Sequence, residues 1–131
     1  MNTRPLTTSE ISNLKMIKEA GIEYALLFLT ETGLKKALLD ATQPLRTLLS
    51  SKDIHDYSSQ GQGGDCKVVL QAVYLDGQDQ HEVKTSLYRP QTKNGDPRIW
   101  FSRLGKLAAP GEVLALFCIG SENLSVILIS A

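Results

Sequence analysis

Ten polar, glycine-rich residues at positions 56–65, DYSSQGQGGD, split the chain into two stretches with different hydrophobic periods. A run of this composition supports neither a helix nor a ladder and must be loop. Before it, apolar residues recur at three- and four-residue spacing; after it, they come in short runs separated by turn signals. That order implies a helical part, 1–55, and a β-rich part, 65–131, sharing one core. At 131 residues the chain is a single domain, 1–131, since typical domains hold roughly 100–200 residues. Its hydrophobic content of 42% is enough for a core without disulfide or metal staples.

In the first part, Thr7-Thr8-Ser9-Glu10 has the spacing of a capping box, and Ile11, Leu14 and Ile17 then share one helical face. With Gly21 as a stop, this predicts a helix over 8–20. The run 22–29 is nearly all apolar and suits a buried strand or a second helical run; its bounding Gly21 and Thr30 favour the strand. Leu34, Ala37, Leu38, Ala41, Leu45, Leu48 and Leu49 hold helical spacing over about 32–51, with Pro44 inside the pattern. Proline lacks a donor and crowds the preceding turn, so the segment is kinked or is two helices with Pro44 in the first turn of the second.

In the second part, strands are expected at 67–75, 82–88, 99–101, 113–119 and 124–129. Turns fall at Asp76-Gly77, at Asn94-Gly95 and at Ala109-Pro110-Gly111-Glu112. The expected fold class is α+β: two to three N-terminal helices packed on a curled, mainly antiparallel sheet or small pseudobarrel of about five strands. The sequence stops directly after its final strand, a layout that suits the N-terminal domain of a longer protein.

Two cysteines, Cys66 and Cys118, make no disulfide framework, which favours a reducing compartment. The opening MNTRPLTTSE lacks a signal-peptide layout, and the apolar runs are far shorter than the ~20 residues of a membrane helix. A cytoplasmic protein with no membrane partner is expected. The formal net charge of zero hides an asymmetry. Residues 1–83 carry eight basic and eleven acidic groups, whereas 84–106 carry Lys84, Arg89, Lys93, Arg98, Arg103 and Lys106 against Asp96 alone. Such a strip is either a solvated face paired with the acidic first part or an anion site.

Read as an anion site, the strip suits double-stranded DNA. Arginine chelates guanine through O6 and N7, asparagine does the same for adenine, and lysine neutralises phosphate. Lys84, Arg89, Lys93, Asn94, Arg98, Arg103 and Lys106 are the candidate DNA-binding residues, with no cofactor and no metal. Trp100 fits a core position, although Tyr88 and Trp100 also suit stacking on unpaired bases. A nuclease is the alternative. Glu82-Val83-Lys84 matches half of the PD-(D/E)xK signature, and Asp65 lies 17 residues upstream. In that reading Asp65 and Glu82 hold Mg²⁺ and Lys84 positions water. Asp65-Cys66-Lys67 is a second such triplet, so the pattern is not specific. A third alternative is a protein-interaction or oligomerisation module in which 124–129 pairs with another chain. His55, His81, Cys66 and Cys118 lack metal-ligand spacing, and 60–64 lacks the GK[ST] of a phosphate loop.

The segment 87–117, LYRPQTKNGDPRIWFSRLGKLAAPGEVLALF, and the earlier 31–49, ETGLKKALLDATQPLRTLL, resemble accessory, target-recognising domains of restriction endonucleases. The nearest group is the EcoRII-like and MvaI/BcnI-like one. The resemblance implies a bacterial restriction or phage-defence protein whose N-terminal domain senses a DNA target while a separate catalytic domain or subunit cuts. It also implies that Arg89, Lys93, Asn94, Arg98 and Arg103 face DNA. Asp65, Glu82 and Lys84 do not align with that group's catalytic motif, so the expectation for this chain alone is binding rather than catalysis.

Overall fold

The capping box forms as its spacing predicts: Thr7 Oγ1 accepts from the Glu10 amide at 3.1 Å, and the Glu10 carboxylate accepts from the Thr7 amide at 2.9 Å. It starts α1, Thr8–Glu19, in a computed structural model that describes residues 4–77, 79–118 and 124–130. The apolar run that follows is a strand, β1, Tyr24–Phe28, whose Ala25 and Leu27 are buried on one face.

The helical pattern over 32–51 resolves into three elements: α2 (Glu31–Lys35), β2 (Leu39–Asp40) and α3 (Gln43–Ser51). Pro44 lies in the first turn of α3, where its missing donor costs nothing. The break before β2 is made at Ala37, whose φ of 54° no right-handed helix accepts. Beyond the 56–65 loop come β3 (Val68–Asp76), β4 (Asp79–Tyr88), β5 (Arg98–Phe101), the short α4 (Leu104–Leu107), β6 (Val113–Cys118) and β7 (Leu124–Leu128).

All seven strands form one sheet in the order β1-β6-β7-β3-β4-β5-β2, curled into a half-barrel. Neighbours are antiparallel except β3 and β7, which run parallel with Ala72 opposite Leu124. The α+β class and the curled, mainly antiparallel sheet are as expected; β1 and β2 extend it beyond five strands. β7 lies inside the sheet between β6 and β3, so the expectation that 124–129 offers a free edge is corrected. The edges are β1 and β2.

The helices divide between the two faces. Leu45, Leu48 and Leu49 of α3 and Leu104 of α4 fill the concave side against Leu27, Tyr74, Leu87, Phe101, Leu116 and Val126. Leu14 and Ile17 of α1 pack on the outer side against Val113, Ala115, Phe117 and Ile129. Cys118 is a buried thiol whose pKa burial pushes up, in keeping with a small core residue. On the outer face of β3 and β4, Val69, Gln71, Glu82 and Lys84 are exposed. Among the described residues no helix is long and apolar enough to cross a membrane.

Candidate nucleic-acid interface

A seven-stranded sheet that curls without closing leaves a seam between its edge strands. Residues of β1, β2, the first turn of α3 and the 94–98 turn line an open groove of about 1350 Å³ there. Two loops contribute to its walls: residues 30–38, around α2, and 89–97, between β4 and β5.

The 89–97 loop is shaped by its own sequence. Asn94 (φ 58°) and Gly95 (φ 69°) are consecutive left-handed residues, the conformation that an Asn-Gly pair favours. A Cβ on Gly95 would lie 2.6 Å from Gln62 Nε2, so the position also needs glycine for space. Arg89 holds the loop from beneath, donating from Nε to the Gly95 carbonyl at 2.8 Å and from Nη1 to the Gln60 and Tyr57 carbonyls at 3.1 and 3.4 Å. The Gln60 amide donates to the Cys66 and Leu87 carbonyls at 2.9 and 2.8 Å. Its oxygen is therefore an acceptor, and His55 Nε2, 2.9 Å away, carries the proton.

The opposite wall comes from 30–46. Thr30 Oγ1 caps α2 by accepting from the Gly33 amide at 2.9 Å. Asp40 stands opposite Arg98 in the β2–β5 register, and their side chains form an ion pair with Arg98 only 8% exposed. The Tyr57 hydroxyl donates to the Arg98 carbonyl at 2.9 Å, and burial raises the pKa of that phenol. At the start of α3, Thr42 occupies the N-cap without capping through its side chain, and no acidic residue lies in the first turn. Thr42 Oγ1 and Arg98 Nε are buried without a hydrogen-bond partner, although nearly all buried polar atoms have one. Lys36 and Arg46 line the groove as well, beside Asp56, whose carboxyl is held below its usual range by hydrogen bonds from the Ser58 hydroxyl and amide.

The basic strip expected over 84–106 is therefore divided. Arg89, Asn94 and Arg98 line the groove, but both arginines are committed to protein partners: Arg89 to carbonyls and Arg98 to Asp40. Lys93 belongs to the same turn; its side chain lies outside the described residues. Lys84, Arg103 and Lys106 are exposed but do not line the groove. Ser102 bonds the Lys84 backbone, four residues from the loop end of β4, or roughly 13 Å at 3.3 Å per residue. The residues that sequence reading missed are Lys36, Thr42, Gln43 and Arg46. Their only signal was the 31–49 stretch, because the wall they form depends on a seam that no local pattern announces.

The nuclease candidates are not brought together. Val68 pairs with Leu87 and Val73 with Glu82, so Asp65 lies beyond one end of the β3–β4 hairpin and Glu82 lies towards the other. Five residues of strand separate Leu87 from Glu82, roughly 16 Å, whereas shared chelation needs ligand distances of about 2–2.6 Å. Among the described residues, no three histidine, cysteine or acidic side chains gather as a metal site. The chain matches no family model, no curated protein and no solved structure.

Proposed function

We propose that this chain is a DNA-binding, target-sensing domain that seats duplex DNA at the seam of its half-barrel. The observation that carries the reading is the groove itself, where loops from both parts of the chain meet and Lys36, Arg46, Arg89 and Arg98 stand among Asp40, Asp56, Asp96 and apolar residues of β1 and β2. Its polar groups suit the two parts of the ligand. Lys36, the uncapped first turn of α3 and Arg46, which donates from one Nη to the Ala41 carbonyl and keeps its other donors, are placed for phosphates, since helix N-termini and basic side chains both attract anions. Asn94 stands exposed at the tip of a tight turn, narrow enough to enter a major groove about 12 Å wide, and asparagine pairs with adenine in bidentate fashion. Arg89 and Arg98 act as positioning residues that hold the turn and the β2–β5 junction. The resemblance to restriction-endonuclease recognition domains supports a bacterial restriction or phage-defence setting, with cleavage by a separate catalytic domain.

Fluorescence anisotropy on a mixed-sequence duplex, with salt stepped upward, tests this reading. Two phosphates neutralised by Lys36 and Arg46 give a log–log slope of about −1.8. The double variant Lys36→Ala/Arg46→Ala flattens that slope by about 1.8. No binding at low salt, or an unchanged slope in the double variant, removes the groove from DNA recognition.

A further inference from the structure

On the outer face of β4 and β5, beside the seam groove, Ser86 stands opposite Trp100 and Tyr88 opposite Arg98. Tyr88 and Trp100 are thus diagonal neighbours on one face, about 7–8 Å apart in the backbone, a spacing that large aromatic side chains bridge. Both are half-buried, and Trp100 packs partly against the main core, so the rings are held from below while part of each stays accessible. They line a second open pocket of about 620 Å³ with Gln62, Asp65, Lys67 and Gln91, in which, among the described residues, Lys67 is the one cation and Asp65 the one anion. Lys67 Nζ lies 5.9 Å from the centroid of the Tyr88 ring. The adjoining wall is Gly63-Gly64; no atom lies within 4 Å of where a Gly64 Cβ would be, so this side is open to a ligand.

We infer that this pocket is a second nucleic-acid site, one that takes an unpaired base of a single strand, stacked on Tyr88 and Trp100, with its phosphate at Lys67. Three features select that occupant. Two π-faces on a pre-formed sheet stack any base, an ammonium beside them meets the strand's phosphate, and the Gln62 and Gln91 amides offer donors and acceptors to a base edge. An uncharged sugar would use the aromatic faces but not the lysine; a duplex would present no free base face. The site goes beyond the duplex reading and shares none of its proposed DNA contacts.

Trp100 is the only tryptophan in the chain, so emission excited at the red edge, where the four tyrosines do not absorb, reports on this pocket. The test titrates the full 131-residue chain with a twelve-nucleotide oligodeoxyadenylate and follows that emission. Saturable quenching is expected, about tenfold weaker in Tyr88→Leu and near wild type in Tyr88→Phe. Lys67→Ala, an exposed change that leaves the fold alone, lowers the salt slope by about 0.7. Duplex affinity, read by anisotropy, stays within about twofold in Tyr88→Leu, whereas Lys36→Ala/Arg46→Ala affects the duplex and spares the oligonucleotide; failure of one site is therefore distinguishable from failure of the other. Absence of quenching, quenching untouched by both Tyr88→Leu and Lys67→Ala, or quenching by a neutral maltooligosaccharide in place of the oligonucleotide overturns the inference.

Discussion

Glu10 is the charged side chain on which the junction of the chain's two ends depends, and its removal has a calculable effect. The residue is 2% exposed, and four donors converge on its carboxylate: Arg4 Nη1 and Nη2, each at 2.7 Å, the Thr7 amide at 2.9 Å and the Ser130 hydroxyl. Arg4 in turn donates to the Gly111 carbonyl at 2.8 Å, and Ser130 accepts from the Val113 amide at 2.9 Å. One carboxylate thus ties the start of α1 to both β6 and the residues after β7. Charge-assisted bonds contribute roughly 1.5–3 kcal/mol each in isolation, and breaking a fully buried pair costs about 3–5 kcal/mol. Arg4 is 36% exposed and rehydrates when its partner is lost, which discounts the second figure. Glu10→Gln keeps the side-chain length and one acceptor, so a loss of about 2–3 kcal/mol is expected. At about 2.1 cal/mol/K per residue over 131 residues, that is roughly 7–11 °C in Tm. The control, Glu19→Gln, removes an exposed pair with Lys15 at 3.7 Å and should cost under about 0.5 kcal/mol.

The pH dependence of the same variant is fixed by the direction of the shift. Hydrogen bonds from Arg4, and then from Ser130 and Thr7, hold the Glu10 carboxyl far below its ordinary value against the opposing effect of burial. A carboxyl depressed in the folded state contributes stability above its unfolded pKa of about 4.3, and that contribution is lost as pH falls towards the folded pKa. Thermal denaturation of wild type and Glu10→Gln at pH 7 and pH 3 should show a gap that narrows on acidification. A gap below about 2 °C at pH 7, or one of the same size at pH 3, refutes the account of this network.

Gly33→Ala should cost about 1–3 kcal/mol, because its Cβ would meet Thr30 Oγ1 at 2.8 Å and the Leu38 carbonyl at 3.1 Å; urea denaturation reads the change, and a neutral result contradicts the close approach of α2 to β2. Ala37→Gly should be neutral or stabilising by up to about 1 kcal/mol, since φ 54° strains alanine but not glycine; destabilisation on thermal melting counts against that backbone conformation.

What was legible in the sequence depends on the range of the interactions that decide each element. The Thr7–Glu10 box, the place of Pro44, the Asn94-Gly95 turn and the apolar runs of β3, β4 and β6 are specified within a few residues, by capping chemistry, φ preference and period, and all of them appear in the structure. The division into a helical part and a β-rich part follows from the same local rules, except where the first part lends β1 and β2 to the sheet. β2 is two residues long and exists only because Arg98 and Ile99 lie opposite it, a pairing that no periodicity encodes.

The candidate site was decided at longer range. Composition placed six cations between 84 and 106, but burial and register decide where Lys84, Arg89, Arg98, Arg103 and Lys106 sit. Asp40, 58 residues away in sequence, neutralises Arg98, and carbonyls of the 56–65 loop engage Arg89. Lys84 was carried down β4, away from the turn. The groove itself belongs to the seam of a curled sheet, so its walls are drawn from both parts of the chain. By itself the sequence determined the elements, their turns and a stock of basic and aromatic groups. Only the tertiary structure decided which of those groups are committed to the fold and which stay exposed, because a charge buried on folding must find its partner wherever the register brings one.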